Sequence, residues 1–441
     1  MRFLPALPLA LRSRRASQGA ARRSLAWPSI VAGALALAIG VVADPADAKP
    51  KPRKHAKVAP DNAPDVVIYG SREDVMRFAS EVAQRRELDA DAIRAALSQA
   101  KFIPSVAKYI MPPPAGSAKN WTAYRARFVE PVRLKAGAAF WASNEAWLRL
   151  AEERYGVPPE IVVGIVGVET IYGQQMGGFR IIDALATLSF DFPTGRKDRS
   201  AFFRDELENY LVLCKQQKVD PLSWRGSYAG AIGMPQFMPS SILQHAVDFD
   251  GDGHIDLHNS AADVIGSVAN FLARHGWQRG MPTRFDVDVP VDTTERALLL
   301  APDILPSFTA QEFAAHGAVL DEAGKAYASK LALIELQNGD AAPSYVAGTE
   351  NFYAITRYNW SSYYAMAVMA LGEAVRRQLP PSVSMARPTA PAQANAPASA
   401  PTASAPAATS PAPQASSPEP AASAPSAPPE TPQAPASSAS S

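Results

Sequence analysis

Apolar side chains recur at helical spacing through the first half of this chain, and one of the most apolar stretches carries an acid in its interior. In Pro159-Glu-Ile-Val-Val-Gly-Ile-Val-Gly-Val-Glu-Thr-Ile-Tyr-Gly173, residues Ile161, Ile165 and Glu169 stand four apart. A helix therefore puts them on one face, with Val168 and Tyr172 close by. Pro158 and Pro159 suit the first turn, and Gly173 suits the end. The Glu169 carboxyl then lies on an apolar face, where burial disfavours charge and should hold its proton to higher pH. A carboxyl still protonated near neutrality is what a general acid for glycosidic cleavage requires. The same pattern also fits a buried glutamate paired with Arg or Lys.

The wider pattern predicts helices from about residue 71 to 215, among them an amphipathic one from Ala138 to Tyr155, stopped by Gly156, and another from Ala201 to Gln217. From about 282 to 337 the texture changes. Phe285-Asp-Val-Asp-Val289 alternates and Leu331-Ala-Leu-Ile-Glu-Leu336 is rich in strand formers, so a small sheet is expected. A final helix over about 361–378 has Tyr364, Ala367, Val368 and Leu371 at core spacing. The fold class is α+β, mainly α.

The ends do not read as fold. Five arginines from Arg12 to Arg23 precede the apolar run 30–43, and Ala46-Asp-Ala48 reads as a cleavage site. Residues 1–48 are thus expected to be a signal peptide, with an uncleaved anchor as the alternative, and 49–64 a Lys/Pro-rich lead. From 381 to 441 the chain is Ala, Pro, Ser and Thr with almost nothing to bury, which predicts a disordered tail. Between them, 65–380 forms one globular body.

Export to the periplasm follows from the signal segment. No cysteine follows the apolar run, so no lipid attachment is expected. The sole cysteine, Cys214, excludes an intrachain disulfide, so the core must hold the fold, with a metal as a candidate helper. Without residues 1–48, six Arg and two Asp fewer, 37 basic and 40 acidic side chains remain, a net of −3 that does not suggest nucleic acid. A monomer without an organic cofactor is expected.

Three further motifs carry candidate chemistry. Asp248-Phe-Asp-Gly-Asp-Gly-His-Ile-Asp-Leu-His-Asn259 places oxygen donors Asp248, Asp250 and Asp252 at alternate positions before Gly253 and Ile255, the pattern of a calcium loop. His254 would give its backbone carbonyl. Asn259 stands where such loops carry a bidentate Glu, and Asp263 is the candidate to replace it. The small-residue run Gly226 to Ser241 lets backbone approach a ligand, with Ser227 and Gln236 as polar contacts, although it also fits a tight interhelix loop. Asn351-Phe-Tyr-Ala-Ile-Thr-Arg-Tyr-Asn-Trp-Ser-Ser-Tyr-Tyr364 combines aromatics and amides, suited to sugar faces and acetamides or to ordinary packing before a helix.

In this order, these motifs resemble the membrane-bound lytic murein transglycosylase B group, exported peptidoglycan-cleaving enzymes with a lysozyme-like core. The likeness is carried by Tyr155 to Thr170, Asp183 to Phe190, Ala229 to Ser241, the calcium loop and Asn351 to Asn359, and spans about residues 65–378. It implies a lysozyme-like catalytic core with a helical N-terminal part, a small β subdomain and an EF-hand-like loop. Glu169 corresponds to the catalytic acid/base. Ser227, Gln236, Tyr358, Asn359, Tyr364 and Tyr124 correspond to saccharide contacts, and Asp248, Asp250, Asp252, His254 and Asp263 to ligands of a structural calcium. Peptidoglycan glycan strands are the implied partner, with a larger wall-remodelling assembly left open.

A two-carboxylate glycosidase needs its acids about 5–5.5 Å or about 6.5–9.5 Å apart. No second acid accompanies Glu169 in a motif; Asp183, Asp191 and Asp205 read as caps or surface residues. The resemblance therefore implies cleavage by a single carboxyl, closing a 1,6-anhydro ring on the muramyl sugar. A muramidase that delivers water, and a non-catalytic calcium-stabilised wall-binding protein, stay open as alternatives.

Overall fold

The helix carrying Glu169 runs from Pro159 to Thr170, with Pro159 in its first turn and Pro158 extended before it. In this computed structural model the described residues are 68–112 and 119–380. The expected signal segment 1–48, lead 49–64 and tail 381–441 lie outside them. Every residue from Ile161 to Thr170 is buried, so this helix threads the core instead of offering one face to it. It stops before the glycine read as its end. Ile171 and Tyr172 already take left-handed backbone, φ 52° and 56°, ahead of Gly173 at 88°. For non-glycine residues that conformation costs roughly 1 kcal/mol or more each. Thr170 provides the reason for the early turn: its Oγ1 donates to Met234 O at 2.8 Å and accepts from Gly173 N at 3.0 Å.

The final helix, Ser362–Arg376, packs directly on the Glu169 helix. Glycines permit the approach. A Cβ on Gly372 would stand 1.9 Å from Glu160 O, and one on Gly164 would stand 2.2 Å from Val368 O. The expected burial of Tyr364, Ala367, Val368 and Leu371 holds.

The helix expected over Ala138 to Tyr155 is two helices, Pro131–Ser143 and Glu145–Tyr155. The break is at Asn144 (φ −125°, ψ 20°), whose Nδ2 donates back to Phe140 O at 2.8 Å. Such side-chain competition for backbone is how Asn ends helices. Gly156 stops the second helix with φ 74°, as expected. Ser200–Gln217 matches its expectation within a residue and packs against Ile181–Phe190.

The small sheet is present with four antiparallel strands, ordered Val319–Leu320, Arg284–Asp288, Ala341–Gly348, Ala332–Asn338. Two of them come from outside the stretches singled out. Ala341–Gly348 returns through the turn after Asn338, where Gly339 has φ 66°. This part has its own core around Phe285, Leu299, Phe313 and Leu333, while the helices share the larger one.

Asp183 is no surface residue. It is 5 % exposed, paired with Arg180 at 2.7 Å, and accepts Lys101 N. Asp191 ends its helix but also accepts Tyr69 Oη at 2.6 Å and Arg72, which ties the N-terminal helices to the body.

Candidate active site

Glu169 forms part of a pocket wall that also includes Gln236, Tyr358 and Asn359. Three motifs far apart in sequence therefore meet at one acid. Glu169 is 8 % exposed. Tyr364, from the final helix, donates its hydroxyl to Oε1 at 2.7 Å. Burial raises the Glu169 pKa to about 7, against which the Tyr364 hydrogen bond pulls downward. Burial wins because little of the side chain reaches water, while a single neutral donor stabilises the carboxylate only partly.

Tyr358 on the pocket wall and Tyr364 behind the acid form a stack. Tyr358 and Tyr364 rings lie 6.1 Å apart at 16°. Tyr364 is 1 % exposed, so it stands against Glu169 and faces no open groove. The Tyr358 hydroxyl donates to Pro235 O. Both phenols are held well above their ordinary pKa by burial and by the Glu169 charge, so both remain donors.

Gln236 sits at φ 49°, a strained position that aims its side chain within the loop. Its Nε2 donates to Gly233 O at 2.9 Å and Met176 O at 3.2 Å. Ser227 is outside the pocket wall: its Oγ accepts Ala231 N at 3.0 Å and closes its own turn. Tyr124 packs against Phe128 and Tyr363, close enough to Glu169 to feel its charge, with burial pushing the phenol up to about 12.

Sequence reading missed a second carboxyl on the same wall. Glu206 is 4 % exposed, and burial raises its pKa. Both its oxygens are engaged by Ser240, whose N lies at 2.9 Å and Oγ at 2.6 Å. Nothing in Asp205-Glu-Leu-Glu208 marks which of its acids faces the pocket. Arg199 and Arg357 also line the pocket, the former 4.5 Å from the Phe202 ring centroid. His245 joins them, its pKa lowered to about 4 by burial, so it is neutral at physiological pH.

The carboxylates Asp248, Asp250 and Asp252 of the expected calcium loop converge, one oxygen from each lying within 4.8 Å of the others. Hard oxygen donors at that separation fit a calcium ion. The loop is shaped by its own bonds: Asp248 accepts Gly251 N and Gly253 N, at 2.7 and 2.9 Å. His254 N donates to Asp252 at 2.8 Å. Asp263 stands outside this trio. Its two oxygens accept Phe249 N and Asp256 N, each at 2.8 Å, from a side chain 1 % exposed.

A mainly helical body with a buried carboxyl of raised pKa on a pocket wall fits the class of lysozyme-like enzymes that act on glycosidic bonds. Comparison with known proteins gives the particular family. Residues 70–373 match the model described as the transglycosylase SLT domain. The chain is 39 % identical over 316 residues to membrane-bound lytic murein transglycosylase B of Escherichia coli (strain K12), covering 70 % of this chain and 84 % of that one. The soluble lytic transglycosylase SltB1 from Pseudomonas aeruginosa superposes with a TM-score of 0.63 at 38 % identity, over 69 % of this chain and 98 % of that one. The Escherichia coli lytic transglycosylase Slt35 in complex with calcium gives 0.61 at 37 % identity, over 73 % and 99 %. The chain belongs to the transglycosylase SLT domain family and is an enzyme of the lytic transglycosylase class.

Proposed function

We propose that this lytic transglycosylase cleaves the β-1,4 bond between N-acetylmuramic acid and N-acetylglucosamine in peptidoglycan with Glu169 as its only acid and base, leaving 1,6-anhydro-muramic ends. The observation that carries this reading is the Glu169 carboxyl itself, buried on the pocket wall with a pKa of about 7 and a tyrosine hydroxyl on one oxygen. A group at that pKa is poised both to give and to take a proton near neutrality. In the first step Glu169 protonates the glycosidic oxygen, and the C1–O bond breaks as the sugar's own acetamide stabilises the cationic carbon. In the second, the muramyl C6 hydroxyl attacks C1 and gives its proton to the Glu169 carboxylate. Attack from within the same sugar has the proximity advantage of an intramolecular reaction.

Gln236, Tyr358 and Asn359 are assigned to hold the sugars flanking the bond, with Ser227 and Tyr124 further along the glycan. Tyr364 acts on the sugar through Glu169. Asp248, Asp250 and Asp252, with the His254 carbonyl, are assigned to a structural calcium. Asp263 keeps the loop in shape from behind. Peptidoglycan lies outside the inner membrane, so residues 1–48 are assigned to export into the periplasm. Among the described residues no helix is long and apolar enough to cross a membrane.

Glu206 favours one rival, a muramidase that uses two carboxylates and water. Its oxygens are already engaged by Ser240, which favours the single-acid reading. Mass spectrometry of peptidoglycan digests separates the two. Wild-type protein and Glu206→Gln are expected to release anhydromuropeptides, and Glu169→Gln none. Reducing-end products that vanish in Glu206→Gln would establish the muramidase.

A further inference from the structure

Trp360 is the one exposed tryptophan among the described residues, with 41 % of its surface open. It follows Tyr358 and Asn359, two residues of the pocket wall, in the turn between helices Glu350–Thr356 and Ser362–Arg376. Single exposed aromatics are common and by themselves carry no function. This one is held in place. Its ring meets Tyr353 edge-on, centroids 6.0 Å apart at 81°. The Arg357 guanidinium lies 5.3 Å from its centroid and 5.8 Å from that of Tyr353. Arg357 is itself part of the pocket wall, so a single guanidinium joins the indole to the site.

We propose that Trp360 is an outer saccharide-stacking platform, which extends glycan binding past the sugars at Glu169. The proposal rests on the glycan-cleaving reading of that pocket. The C–H faces of a pyranose pack on an aromatic face, and binding sites pair such faces with a few fixed polar groups. Here the aromatic orientation is set before ligand arrives, which reduces the ordering cost of binding. Arg357 supplies N–H donors beside it for sugar oxygens. A surface one residue beyond the pocket wall serves a long strand and not a short fragment.

The test compares the full chain, Trp360→Ala and Trp360→Phe on peptide-free glycan of defined length, a tetrasaccharide and an octasaccharide of the peptidoglycan repeat. The Ala variant is expected to lose about tenfold more kcat/KM on the octasaccharide than on the tetrasaccharide, the difference lying in KM. The Phe variant should recover most of the loss. Equal losses on both lengths, no loss on either, or no recovery by Phe would each overturn the platform. If the wild-type chain cleaves neither glycan, the proposed cleavage of bare glycan strands at Glu169 fails. Octasaccharide binding by Glu169→Gln, with and without Trp360→Ala, then decides the platform alone: weaker binding by the double variant supports it and equal binding overturns it.

Discussion

The Tyr364 hydroxyl donates to Glu169 Oε1 at 2.7 Å, joining residues 195 positions apart across the contact of two core helices. This bond favours the carboxylate, whereas burial favours the acid, and the balance sets the pKa at about 7. Removing the hydroxyl leaves burial less opposed. Tyr364→Phe should therefore move the alkaline limb of the activity profile to higher pH. It should also lower the maximal rate about tenfold, since the acid loses its positioning partner. A pH series on isolated peptidoglycan checks both.

The raised pKa also makes stability depend on pH. The folded state keeps the Glu169 proton to about pH 7, while the unfolded chain releases it near the ordinary glutamate value of 4.5. Below that value the contribution is fully present, and it is lost as pH rises through 7, by about 3 kcal/mol in all. Glu169→Gln has no such proton to lose. Its Tm relative to wild type should rise between pH 5 and pH 8, as scanning calorimetry would show, while cleavage falls by about 10²–10⁴-fold.

Gly372→Ala would force a methyl group to within 1.9 Å of the Glu160 carbonyl, and Gly164→Ala to within 2.2 Å of Val368 O. Neither backbone can withdraw without separating the helices. Each substitution should destabilise by about 1–3 kcal/mol. Each should also depress activity, because the same separation pulls Tyr364 from Glu169. Denaturant titration and turnover measured together would show the two losses.

Calcium should raise Tm, by an amount that grows with its concentration as expected for a ligand bound only by the folded chain. At about a hundred times its Kd the gain is about 2.7 kcal/mol. Asp250→Asn with Asp252→Asn should abolish the shift, and a chelator should reverse it in the wild type.

Much of this was legible in the sequence where one local rule decided the outcome. Pro159 started its helix, Gly156 stopped another, and the alternation around Phe285 marked a strand. Glu169 was readable because an acid amid apolar neighbours has few places to go except inside. Legibility failed where tertiary contacts overruled local pattern. The left-handed Ile171 and Tyr172 answer to Thr170 and the distant Met234 carbonyl, and no spacing rule marks such a pair. Asp183 looked like a cap or surface residue because its partners, Arg180 and Lys101 N, declare themselves only in three dimensions. Glu206 was hidden because no local spacing in Asp205-Glu-Leu-Glu208 marks which acid faces the pocket. Tyr364 was readable both as a core position and as a member of the site, but its hydrogen bond to Glu169 became visible only once the two helices were seen to touch.

The glycine-lined crossing of those helices bears on transplanting this chemistry. Copying Glu169 and its pocket neighbours onto another scaffold would bring the wall but not the tuned pKa. That property depends on burial between two closely packed helices, which raises it, and on a tyrosine from one reaching the carboxyl on the other, which holds the rise in check. A designer borrowing this acid would have to borrow Gly164 and Gly372 with it.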